Sequence, residues 1–95
     1  MKGKSCKFTV GQIIHHRLFN YRGMIIDIDP CFQGEDEWYE QMAATHPPRE
    51  DPWYHILVDG ADYLTYVAER NLTPSECLDP IQNPMAEGLR PGSAN

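Results

Sequence analysis

The stretch WYHILVDGADYLTYVA, residues 53–68, decides the fold. Its first six residues alternate about a strand axis. Trp53, His55 and Leu57 share one face, and Tyr54, Ile56 and Val58 share the other. Pro52 sets the entry. Asp59-Gly60 is a turn signal, with the loop running on through Asp62. Tyr63 to Ala68 returns as a second strand rich in aromatic and β-branched residues. The aromatic rings on each face are placed to pack on a core or a helix rather than to form an active site.

Working upstream, MIIDIDP at 24–30 reads as another strand. Ile26 and Ile28 face one way, Asp27 and Asp29 the other, and Pro30 removes a ladder donor and ends it. Before it, FTVGQIIHH at 8–16 reads as the first strand. Phe8, Val10, Ile14 and His16 fall on one face, with a bend at Gly11. Asn20 and Gly23 suit the turn that joins the two as an antiparallel pair. Residues 35–45 read as a helix inserted after this pair. Glu35, Asp36 and Glu37 crowd its first turn, where the backbone dipole favours anions. Trp38 with Met42, and Tyr39 with Ala43, form its apolar stripe. Downstream, Asn71-Leu72 adds a short last strand or a closing turn.

These elements predict a mostly β protein: a small, partly closed barrel of four to five antiparallel strands with one inserted helix. Closure removes the exposed edges that a flat sheet of this length would carry. Residues 1–79 make a single domain. Half of the prolines lie in the last quarter, Pro74, Pro80, Pro84 and Pro91. From about Pro80 the apolar period is lost, so residues 80–95 are expected to be a Pro-rich, loosely held tail.

The chain has 95 residues, 41% of them hydrophobic, enough for one modest core. Its formal net charge is -6, which opposes a broad nucleic-acid or anionic-membrane surface but leaves room for a local basic patch. The start, MKGKSCKF, has lysines without an apolar run, and no segment is long enough to span a bilayer. Cys6, Cys31 and Cys77 are odd in number and far apart. Together these features point to a cytoplasmic protein with reduced thiols.

Little here suggests catalysis. His15, His16, His46, His55 and the cysteines show no metal-ligand spacing, so neither a metal nor another cofactor is expected. Asp27 and Asp29 share a strand face, most simply a solvated one. The chain shows no phosphate-binding glycine loop, and no base beside a nucleophile. The run HHRLFNYR at 15–22 stands out because it has no acidic residue. With Lys2, Lys4 and Lys7 it predicts a basic lip. His15, Arg17, Arg22 and Lys7 are candidates for phosphate, and Tyr21 or Phe19 for stacking or wedging. The alternative is an ordinary turn whose aromatic rings cap the core. The acidic helix offers a second surface, with Glu37, Glu40 and Tyr39 as candidates for protein contact.

Three blocks in order, VGQIIHHRLFNYRGMIIDIDP, PWYHILVDG and TYVAERNL, resemble the YccV-like family. The resemblance runs from about Phe8 to Leu72. It implies an SH3-like barrel and a non-enzymatic protein that binds hemimethylated DNA. Heat-shock and protein quality-control roles are also implied, including action on ATP-dependent proteases or their substrates. So are homo-oligomers, trimers among them. An adaptor or specificity factor for such a protease, with no physiological DNA binding, is the other functional class open at this point.

Overall fold

The computed structural model describes residues 6–42 and 47–89. Five strands form one antiparallel sheet: β1 (Ile13–His16), β2 (Arg22–Asp29), β3 (Trp53–Val58), β4 (Leu64–Ala68) and β5 (Leu72–Pro74). Their order is β4-β3-β2-β1-β5, so β4 and β5 are the two ends of an open sheet. A 3-10 turn at Glu69–Asn71 carries the chain from one end to the other. The sheet therefore curls around its core without closing, as expected for a small SH3-like fold.

The central hairpin is as the sequence implies. Strand β3 pairs with β4 from Trp53↔Ala68 to Leu57↔Leu64. Tyr54 and Ile56 point into the concave core, where they meet Phe8, Ile14, Ile25, Val67 and Leu72. The opposite face of β3 is covered too. Trp53 is buried there with Tyr39 and Ala68, under helix α1 (Asp36–Met42). One strand is thus apolar on both faces because each face has its own cover.

Two upstream expectations are corrected. The first strand starts at Ile13, not Phe8. Residues 8–12 turn instead, with Gly11 at φ +91, a conformation that suits glycine. Phe8 reaches the core, while Val10 is left exposed. The second correction concerns the faces of β2. Its register against β3 shifts between Ile25 and Asp27, a β-bulge at Ile26. The extra residue switches the alternation, so Ile28 joins the buried Ile25 against the core instead of facing with Ile26. Asp27 and Asp29 stay together on the outer face.

Helix α1 begins one residue later than expected, and residues 43–46 lie outside the described set, as do Lys2, Lys4 and residues 90–95. The proline-rich segment differs from the expected loose tail. Ile81, Asn83 and Ala86 are buried, and Pro84–Leu89 forms a 3-10 segment. The Asn83 side-chain amide donates to the carbonyls of Val58 and Tyr63, on either side of the hairpin loop. Gly60 N–H donates to Gln82 O, and Gln82 N–H to Asp59 Oδ1. Hydrogen bonds and the isolated burial of Ile81 and Ala86 seat this segment without an apolar period, and so the hydrophobic pattern gives no sign of it.

Candidate nucleic-acid interface

His16 organises the turn between β1 and β2. Its ring is buried at the end of β1. Nδ1 accepts hydrogen bonds from the Leu18 and Phe19 amides, each 3.1 Å. Burial first, and the neighbouring His15 second, hold its pKa below the ordinary 6.5. The ring is therefore a neutral acceptor at physiological pH. Asn20 closes the turn in the left-handed region, φ 65, which asparagine tolerates better than most residues. Its Oδ1 lies 2.8 Å from His15 Nε2.

The turn so fixed presents Arg17, Leu18 and Phe19 to solvent. Phe19 is 69% exposed and Leu18 53%, large values for apolar side chains. Phe19 is nonetheless held, stacked on the His16 ring at 4.7 Å and 27°. Arg17 binds across to the 3-10 turn. Its backbone N–H donates to Asn71 O, and its Nη1 to Arg70 O at 2.7 Å. That leaves other guanidinium donors on an exposed side chain. Lys7 arrives at the same turn, its amide donating to Glu69 Oε2. Glu69 also accepts from the buried Tyr54 hydroxyl at 2.6 Å. Burial and then this hydrogen bond raise the Tyr54 pKa, so the phenol stays a donor.

The five basic-lip candidates are therefore not one site. Lys7 and Arg17 converge on Glu69–Asn71. Arg22 instead faces the downstream chain. Its Nη1 donates to the carbonyls of Cys77 and Asp79, and its Nη2 pairs with Asp59 at 3.1 Å. His15 lines the same small hollow as Arg22, beside Thr73 and Cys77. Tyr21 is half-buried against His16, with its hydroxyl 2.8 Å from Thr65 Oγ1. Arg22 and Tyr21 hold the fold together. Sequence reasoning missed Arg70 and Leu18. Arg70 lies 53 residues from Arg17, and only the curl of the sheet brings them together.

On the acidic side, Glu37 and Glu40 are exposed on α1. Tyr39 is buried beneath them, and its hydroxyl donates to Pro47 O at 2.6 Å. Asp27, Asp29 and His55 place possible metal-ligand atoms within 4.8 Å of one another. Internal contacts account for this grouping. Asp29 Oδ2 accepts from Tyr66 at 2.7 Å and lies 3.2 Å from His55 Nε2, while Asp27 Oδ1 accepts from the Ile28 amide. All three cysteines are free, with Cys6 and Cys77 exposed. No described helix is long and apolar enough to cross a membrane.

Residues 6–90 match the family described as hemimethylated DNA-binding protein, YccV-like. The chain belongs to the YccV-like family. The match covers nearly the whole chain and continues through the docked proline-rich segment. YccV-like proteins are a DNA-binding family.

Proposed function

We propose that this protein binds duplex DNA, with hemimethylated duplex preferred, through the turn at 17–20 and the 3-10 turn beside it. Arg17, Arg70 and Lys7 contact phosphates, and Phe19 with Leu18 bears on the bases or a groove wall. The observation that carries this reading is the bridge from Arg17 to Arg70. The Arg17 guanidinium donates to the main-chain carbonyl of Arg70, so exposed basic residues from two distant segments meet at the turn that carries the exposed, stacked Phe19, in a protein whose net charge is -6. Binding by so few cations is modest and strongly salt-dependent. Assembly into a homo-oligomer, a trimer for instance, raises it by presenting several turns to one duplex.

Fluorescence anisotropy tests this with one duplex in hemimethylated, fully methylated and unmethylated forms. Tighter binding of the hemimethylated form, weakened by Arg17→Ala, supports the reading. Equal binding of all three forms removes the methylation preference. An unchanged affinity in Arg17→Ala removes the site.

A role in protein quality control is the second reading. The exposed Glu37 and Glu40 on α1 favour it, as an acidic surface for a protease or its substrates. Pull-down of an ATP-dependent protease by the wild type but not by Glu37→Lys/Glu40→Lys distinguishes the two.

A further inference from the structure

The outer face of the sheet carries a second cluster of rings. Phe32, Trp38 and Tyr66 pack there against Trp53 and Tyr39. This cluster already holds one cation of the chain itself. The Arg49 guanidinium lies 4.4 Å from the Tyr39 ring centroid and 5.2 Å from that of Phe32, and it pairs with Asp36. Ring faces attract cations electrostatically, and a carboxylate alongside adds to the attraction.

A neighbouring hollow of about 370 Å³ likewise sets rings beside carboxylates. Trp38 and Tyr66 line it with their centroids 5.7 Å apart and their planes inclined at 61°, so they form two walls of a corner. Asp29, Glu35 and His55 complete it. Among the described residues no lysine or arginine lines it. The Asp29 carboxylate is pinned by the Tyr66 hydroxyl and His55. Burial, and then this bond to Asp29, raise the Tyr66 pKa, so the hydroxyl remains a donor that fixes the carboxylate. Two carboxylates repel a phosphate, so nucleic acid is not the occupant. Aromatic walls with acidic residues beside them fit an organic cation.

We propose that this hollow binds the side-chain ammonium of a lysine, methylated or unmodified, on a partner polypeptide. The inference goes beyond DNA binding and shares no residue with the basic turn, so either can fail alone.

The test is a titration of the full chain followed by NMR, reading the Trp38 indole N–H, assigned through Trp38→Phe. The probes are three versions of one short, otherwise uncharged peptide. They carry a lysine, a trimethyllysine, or the neutral tert-butyl isostere of trimethyllysine. Saturable shifts at Trp38 with either cationic peptide, and roughly tenfold weaker binding of the isostere, are expected. The tighter of the two cations identifies the methylation state preferred. Glu35→Gln should weaken binding several-fold, and Trp38→Leu should abolish it. Equal affinity for the isostere overturns the proposal, as does the absence of shifts at millimolar peptide. Should Trp38→Leu not fold, the exposed Glu35→Gln decides: unchanged affinity in that variant also overturns it.

Discussion

A proton added to the His16 Nδ1 lone pair would displace two hydrogen bonds at once, those from the Leu18 and Phe19 amides. Burial opposes the charge as well, and the folded pKa lies below 6.5. The sign follows from linkage. Below 6.5 the unfolded chain binds the proton more readily, so this contribution is present above that pH and is lost as pH falls through the folded pKa. Asparagine offers an oxygen in place of Nδ1 and does not titrate. His16→Asn should therefore show a shallower fall in melting temperature between pH 7.5 and 5 than the wild type. Equal slopes in thermal melts would remove this contribution. Gly23 is a second residue with a sharp expectation. A Cβ there would lie 2.3 Å from Ile56 Cγ2 and 2.7 Å from Leu57 O. The neighbour in the second contact is backbone and cannot rotate away. Gly23→Ala should cost about 2 kcal/mol or more, the range of an overpacked core, in urea unfolding.

Among the elements, β3 and the proline-rich segment show what the sequence discloses and what it hides. The two-faced pattern of Trp53 to Val58 is written in an apolar run broken only by His55, and the structure covers both faces. Trp53 is 1% exposed and donates from its indole to Pro48 O. Trp53→Ala should cost about 3–5 kcal/mol in denaturant unfolding, in line with other buried-aromatic truncations. The bulge in β2 was not legible, because an inserted residue leaves the composition unchanged and alters only the register. The docking of residues 77–86 was hidden for another reason: its anchors are mostly polar, Asn83, Gln82, Asp59 and Arg22, with only Ile81 and Ala86 buried among them, and such a mixture carries no period. Arg22 in particular reads as a surface cation, yet it ties β2 to Cys77, Asp79 and Asp59. Arg22→Met should lower stability by about 2 kcal/mol, a typical loss for charge-assisted hydrogen bonds, and should leave the salt dependence of DNA binding unchanged. A change in that salt dependence would place Arg22 among the phosphate contacts after all.

At the scale of the whole molecule, the basic turn was half legible. The acid-free run from His15 to Arg22 marks the place, and Arg17 and Phe19 lie within it. Arg70 could not be found locally, because it enters from the connection between the two ends of the sheet. Curling the sheet thus brings exposed basic residues from distant segments to one turn, which also holds the Glu69 carboxylate. This gives the proposed DNA contact a countable signature. Each phosphate contact contributes about 0.9 to the slope of log affinity against log salt. With Lys7, Arg17 and Arg70 engaged, one protomer should show a slope of about -2.7 on this scale. Arg17→Ala/Arg70→Ala should reduce its magnitude by about 1.8, whichever duplex is used. Phe19→Ala should leave the slope alone but narrow the difference between hemimethylated and unmethylated duplex, because a ring against base or groove wall releases no counterions. Anisotropy titrations at four salt concentrations separate these effects. A Phe19→Ala slope that falls with the arginine variant's would mean that the ring only props the cations in place. An unchanged slope with lost discrimination would assign phosphate binding to Arg17 and Arg70 and the reading of methylation to Phe19.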